Sequence, residues 1–283
     1  MADGAPLAHR AGPSAEDRIA FLGHATVLIE LDGVRLLTDP LLRGRVAHLR
    51  RQASPVDPSV FAGRARPDAV LISHLHHDHL DLASLRLLGL DMSLLVPAGA
   101  GELLRRRGFT DVTELSAGGM QDARAGGVAG AVDVGGLTVT AVEARHDGRR
   151  HPGGRRAETL GYVIRGRRTV YFAGDTELFD GMSEQLPDSA SQLDVALLPV
   201  AGWGATLGPG HMDPLDAARA VCLLRPRIAI PMHWGTLLPI GGARRHRATL
   251  GDPPRLFARH VARLAPDVEV GILEPGQTAT LPR

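Results

Sequence analysis

The sequence predicts a mixed α/β sandwich, with two sheets packed face to face and helices outside, and three observations predict it. Short apolar runs of strand character come in close succession at the start of each half of the chain. Helix-like and strand-like runs alternate later in each half, as layered α/β architectures require. Histidines and aspartates stand directly after several of the apolar runs, at the carboxyl ends of predicted strands, where α/β folds build their sites.

Residues 1–16 (MADGAPLAHRAGPSAE) are small, polar and aperiodic, and read as a flexible tail. RIAFLG, TVLIEL and VRLLTD follow as strands, the last two divided by the turn pair Asp32-Gly33. The Pro- and Arg-rich stretch from Leu41 to Pro67 has no clear period and reads as a connection. DAVLIS then predicts a buried strand, LASLRLLG a helix, SLLVPA a strand, and AGELLRRRG a helix ending at Gly108. Past the glycine-rich GGMQDARAGGVAG come strands around GLTVTAVEA, TLGYVIRG and RTVYFAG. Strand DVALLPV, helix DPLDAARAVCLL, strand RIAIPM and a helix near PRLFARHVARL complete the order. Asp213 before Pro214 suits the N-cap of its helix. There is no internal repeat, and residues 17–283 are expected to form one domain of two halves.

Composition removes several classes of function. A formal net charge of +1 over 283 residues gives no global field for nucleic acid or an anionic membrane. All 32 basic side chains are arginine, and lysine and asparagine are absent, which points to codon bias rather than to an arginine-rich binding face. A single cysteine, Cys222, excludes an internal disulfide framework and a thiolate metal cage. Its place within AARAVCLL suits core packing. No apolar run approaches the ~20 residues of a spanning helix, and no signal-peptide core is present, so a cytoplasmic location is expected.

The chemistry concentrates in LISHLHHDHLD, Leu71 to Asp81, which holds four histidines and two aspartates behind a predicted strand. Imidazole and carboxylate are ligands for zinc, manganese or iron. His146 follows strand VTAVEA, Asp175 follows TVYFAG, and His233 follows RIAIPM, so candidate ligands stand at four strand ends. A solvated or tag-like histidine run would lack these partners. Asp39 in LLTDP is placed to accept hydrogen bonds from the histidine loop, and Asp81 could do the same or cap the helix that follows it. His77 lies between candidate ligands and by pattern points away.

His74, His76, Asp78 and His79, with His146, Asp175 and His233, resemble the signature of the metallo-β-lactamase superfamily. The resemblance implies a four-layer αββα sandwich and a binuclear centre. It implies that His74, His76 and His146 hold one divalent cation, that Asp78, His79 and His233 hold the second, and that Asp175 bridges them. Zinc is the first choice of metal, with Mn²⁺ or Fe²⁺ as alternatives. Within the superfamily, GHATVLIELDGVRLLTDPLL, FAGDTELF, GHMDPLDAA and IPMHWGT are similar to the N-acyl phosphatidylethanolamine phospholipase D group and to L-ascorbate-6-phosphate lactonases. The chain departs from the phospholipases at Asp147, where they carry an aromatic, and over Ala201 to Gly210, which has no arginine.

The function so implied is hydrolysis by a hydroxide held at two cations, on a phosphodiester or other anionic ester of small size. A lactonase, a nuclease and a non-catalytic binding protein are the rival readings. The nuclease is disfavoured by the near-neutral charge, and loss of catalysis by the retention of all seven ligands. Asp78, Asp175 and His211 are the residues expected to take part in the chemistry, His211 by orienting the substrate or protonating a leaving group. His24 in GHAT lies in a loop that the resemblance places near the metals. The loop GRRHPGGRR, Gly148 to Arg156, reads either as a solvated loop or as an arginine clamp on an anionic group. Trp203 and Trp234 are candidates for a pocket wall or for the core. Nucleic acid is not an expected partner, and self-association is left open.

Overall fold

The computed structural model describes residues 16–120, 129–186, 193–201, 207–241 and 250–282. Residues 1–15 of the expected tail, Trp203 and most of the glycine-rich stretch before residue 129 lie outside them.

The first sheet opens with an antiparallel meander of β1 (Arg18–Gly23), β2 (Thr26–Leu31) and β3 (Val34–Thr38). Two short strands, β4 (Arg45–Val46) and β5 (Leu49–Arg51), come next. The chain then re-enters the first sheet as β6 (Ala69–Leu71) and continues through α1 (Leu82–Leu88), β7 (Leu94–Pro97), α2 (Gly101–Arg105) and β8 (Val112–Met120). The second half repeats this plan. Its meander is β9 (Ala131–Val134), β10 (Leu137–Glu143), β11 (Leu160–Arg165) and β12 (Thr169–Phe172). After it come β13 (Val195–Pro199), α3 (Pro214–Leu224), β14 (Ile228–Met232), β15 (Leu237–Pro239), α4 (Asp252–Leu264), β16 (Glu269–Val270) and β17 (Gln277–Thr280). The strand orders are β17-β1-β2-β3-β6-β7-β8 and β16-β14-β13-β12-β11-β10-β9.

Side-chain alternation sorts the first sheet into two apolar faces. Ile19, Phe21, Ile29, Leu36 and Leu71 join the core shared with the second sheet, whereas Ala20, Leu28, Leu37 and Val70 pack with Leu85, Leu88 and Leu104 of α1 and α2. On the far side of the second sheet, Ala217, Val221, Phe257 and Val261 of α3 and α4 cover its strands. The result is the mixed α/β sandwich of two large sheets with helices outside. Asp213 caps α3 as its position predicts, accepting from the N–H groups of Leu215 and Asp216. Trp234 is core: it stacks on Phe21 and its indole N–H donates to Pro231 O.

The stretch from Leu41 to Pro67 is more ordered than its composition suggests. It supplies β4 and β5, which pair with β15 in a three-stranded sheet over Leu41, Val46, Leu49 and Leu237. Strands β8, β9, β16 and β17 are likewise additions to the sequence reading, and β17 closes the first sheet against β1. No described helix is long and apolar enough to cross a membrane.

Strand direction places the chemistry. In the first sheet β1, β3 and β6 run the same way, and in the second so do β10, β12, β13 and β14. Their carboxyl ends deliver His24, Asp39 and the histidine loop from one sheet. From the other they deliver His146, Asp175, His211 and His233.

Candidate metal centre

The two loop edges meet at Gly174, whose φ is +62° and where an added Cβ would come 2.7 Å from Ser73 Cβ. Only glycine lets the Asp175 loop approach the histidine loop so closely. Backbone strain gathers here too: His24, Asp39 and His233 have φ of 57°, 35° and 62° and are three of six non-glycine residues with positive φ among the described residues.

Around this junction the candidate ligands converge. His74 Nε2 and His146 Nε2 lie 2.9 and 3.0 Å from His76 Nδ1. His79 Nε2 and His233 Nε2 lie 3.2 Å apart, and each is 3.2 Å from Asp175 Oδ2. Asp78 Oδ2 is 3.9 Å from His79 Nε2 and 3.0 Å from His24 Nε2. All seven predicted ligands therefore come together in this structure. His24 joins the Asp78, His79 and His233 group, and His211 joins His146 and Asp175.

Hydrogen bonds on the outer side of the rings fix which nitrogen carries the proton. His79 Nδ1 donates to Asp39 Oδ2 at 2.8 Å, His233 Nδ1 to Ala201 O at 2.6 Å, and His146 Nδ1 to Gly210 O at 2.8 Å. Ser73 Oγ spends its proton on Asp39 Oδ2 at 2.5 Å, so His74 Nδ1 must donate to Ser73 Oγ at 2.9 Å. In the neutral rings, the Nε2 lone pairs of His74, His79, His146 and His233 then all point inward. Nitrogens bearing lone pairs repel at these separations unless a cation lies among them. Tetrahedral ligands ~2.0–2.1 Å from zinc would sit about 3.3 Å from each other, close to the spacings present.

Charge follows the same logic. Burial holds His74 well below the ordinary imidazole value and lowers His146 to about 4. Burial also lowers His24 to about 3, with His233 adding to the effect. For His79 and His233 burial works downward too, but Asp175 outweighs it and raises both. Burial opposes ionisation of Asp175 and Asp78, yet the neighbouring histidines hold both carboxyls well below the usual aspartate value. The raised basicity of His79 and His233 reflects the negative charge of the buried carboxylates beside them, a charge that a divalent ion would also offset. Asp175 Oδ1 is buried with no hydrogen-bond partner among the described residues, an open acceptor beside a nitrogen cluster. Imidazole nitrogen plus carboxylate, without thiolate, is a donor set that fits zinc, manganese or iron. The residues present fit a metal centre.

Four further sequence expectations can be placed. Asp39 accepts from the histidine loop, and also from Ser73 N at 2.7 Å. Asp81 caps α1 through Ser84 N and pairs with Arg43, and among the described residues it makes no hydrogen bond to a ligand histidine. His77 is exposed and faces Arg150 at 3.1 Å. Sequence reasoning did not foresee Arg150. Its guanidinium also donates to Leu75 O at 2.9 Å and to Leu80 O at 3.2 Å, tying the arginine-rich loop to the histidine loop. His211 sits at the mouth, its Nε2 3.6 Å from Asp175 Oδ2 and its side chain 23% exposed.

Comparison with known proteins bears on family and fold. A family model described as "Beta-lactamase superfamily domain" matches residues 34–234. A UPF0173 metal-dependent hydrolase of Methanopyrus kandleri is 35% identical over 274 residues, covering 92% of this chain and 98% of that protein. One from Thermofilum pendens is 34% identical, covering 94% and 99%. Among solved structures, Igni18, a metallo hydrolase from Ignicoccus hospitalis, superposes with a TM-score of 0.69 at 23% identity. That match covers 94% of this chain and 98% of Igni18.

Proposed function

The chain belongs to the UPF0173 metal-dependent hydrolase family of the metallo-β-lactamase superfamily, and on that premise we propose that it is a binuclear hydrolase of small anionic esters, phosphodiesters first. The observation that carries the binuclear reading is Asp175. One of its oxygens faces the His79–His233 pair, and the other is a buried acceptor with no partner among the described residues. His74, His76 and His146 would hold one cation, Asp78, His79 and His233 the second, and Asp175 would bridge them. The bound cations, zinc foremost, would supply Lewis acidity and a water of lowered pKa.

The chain's own groups do the rest. Asp39 and Ser73 keep the lone pairs of His79 and His74 turned inward. His24 stays neutral in its buried site and donates Nε2–H to Asp78, which fixes the direction of that carboxylate. His211 anchors Nδ1 to Gly208 O at 3.1 Å, which leaves Nε2 facing the mouth, where it can hold a proton for a departing oxygen.

Metal analysis of the purified protein, combined with turnover on a panel of phosphodiesters and lactones, tests this reading. Two equivalents of divalent metal, loss of activity on chelation, and preference for phosphodiesters are expected. One equivalent at saturation would remove the binuclear reading, and preference for lactones would move the substrate class.

A further inference from the structure

The arginines of Gly148 to Arg156 are divided by the way that loop folds. It closes as a hairpin, with Ala157 N donating to Gly148 O at 3.0 Å and Arg150 N to Arg155 O at 2.9 Å. Arg149 and Arg156 pair as a bridge between those bonds. Side chains alternate across such a pairing, so Arg150 and Arg155 share one face and Arg149 and Arg156 the other. The first pair is spent on structure: Arg150 braces the histidine loop, and Arg155 pairs with Glu102 at 2.6 Å. Among the described residues, no hydrogen bond or ion pair engages the guanidinium of Arg149 or Arg156.

Arg156 lines a cavity of about 510 Å³ that also reaches His146. Two carboxylates line it as well, but both have partners. Glu158 accepts from Ser116 Oγ at 2.8 Å on each oxygen, and Glu143 accepts from Arg145 Nε at 2.8 Å. The cavity thus joins one edge of the proposed metal centre to an uncommitted guanidinium.

We propose that Arg156, with Arg149 beside it, forms the subsite for an oxyanion of the substrate remote from the bond that is cleaved. Guanidinium presents a planar fork of donors that matches carboxylate and phosphate oxygens. The substrate class narrows accordingly: a molecule with a second anionic group, lying along the β10 side of the site with the scissile group at the metals. The proposal rests on the hydrolase reading for its substrate, but its binding half can be measured without turnover.

The test is titration of inorganic phosphate into the metal-loaded full chain by calorimetry, with Arg156→Ala, Arg156→Lys and Arg155→Ala at matched metal content. Arg156→Ala is expected to weaken phosphate roughly tenfold or more, as loss of charge-assisted bonds does. Arg156→Lys should recover part of the loss, and Arg155→Ala should bind as the parent does. Phosphate would also bind at the metals, so the whole isotherm is read: identical isotherms for the parent and Arg156→Ala, stoichiometry included, would overturn the subsite. A second arm compares mono-4-nitrophenyl succinate with 4-nitrophenyl acetate, which share a leaving group and differ by one carboxylate. In Arg156→Ala, KM should rise about tenfold for the succinate alone, with kcat retained. An equal rise for both esters would also count against it. A protein that hydrolyses nothing yet binds phosphate through Arg156 would retain the subsite and lose the hydrolase reading.

Discussion

The two loop edges that meet at the site are braced in different ways. On the first sheet, side chains hold side chains: Asp39 accepts from Ser73 and His79, Ser73 accepts from His74, and Arg150 straps the outside of the loop. On the second sheet, backbone holds the rings, with Gly210 O behind His146 and Ala201 O behind His233. One loop that carries four candidate ligands cannot take its shape from a strand, so it needs an external scaffold of charge and hydroxyl. Ligands delivered singly at strand ends inherit their rigidity from the sheet.

Asp175 is where the two edges share one group, so its substitution gives the largest expected effect. Asp175→Asn keeps the shape and removes the charge that would offset the two proposed cations. A loss of about 4 kcal/mol of charge stabilisation corresponds to roughly 10³-fold in turnover. Metal content should fall below two equivalents, while His77→Ala should change neither measurement. Equal behaviour of the two variants would refute the bridging role. His211→Ala should follow at about 10²–10⁴-fold in turnover with metal content intact, and the loss should shrink for nitrophenyl leaving groups.

The bracing contrast itself predicts a smaller pair of effects that differ in kind. Asp39→Asn sets an amide donor where His79 Nδ1–H and Ser73 Oγ need an acceptor. The inward lone pairs of His79 and His74 are then both disturbed, and both proposed cations should bind about 10–100-fold more weakly. Gly210→Ala acts on one ring: at φ +80° an added Cβ would come 2.9 Å from His146 Nδ1. Only the cation that His146 would hold should bind more weakly, by about tenfold. Metal titration that showed both sites weakened by Gly210→Ala, or only one by Asp39→Asn, would break the distinction.

The same contrast explains what the sequence could disclose. A loop that carries its ligands side by side is legible as a string, and Asp39 and Asp81 were legible because caps and carboxylate partners have local signatures. Arg150 was not, because its contacts with Leu75 and Leu80 depend on a hairpin folding back across 70 or more positions. His24 meets Asp78 across 54 positions through a φ of 57° that no periodicity encodes. Strands β4 and β5 escaped notice because short pairings with β15 depend on partners distant in the chain, not on an apolar period of their own.

The smallest effect marks where the first brace ends. Asp81 leaves the histidine loop but holds α1 and Arg43, accepting from Arg43 Nε at 2.8 Å and Nη2 at 2.7 Å. Burial opposes its ionisation; Arg43 and Ser84 outweigh burial and hold its pKa below the ordinary aspartate value. A depressed carboxyl contributes stability that is fully present above the unfolded pKa of about 3.9 and is lost as pH falls through the lower folded value. Asp81→Asn preserves an N-cap acceptor and removes the charge, so it isolates the pairing from the capping. Arg43 is partly exposed, so the pair is discounted to about 1 kcal/mol at neutral pH, or about 2–4 °C in Tm. Thermal melts of parent and variant should converge as the pH is lowered below about 4, and metal content at neutral pH should be equal in the two. If Asp81→Asn released metal, the side-chain scaffold would extend past Asp39 and Arg150 into α1, and the helix would have to be counted as part of the site.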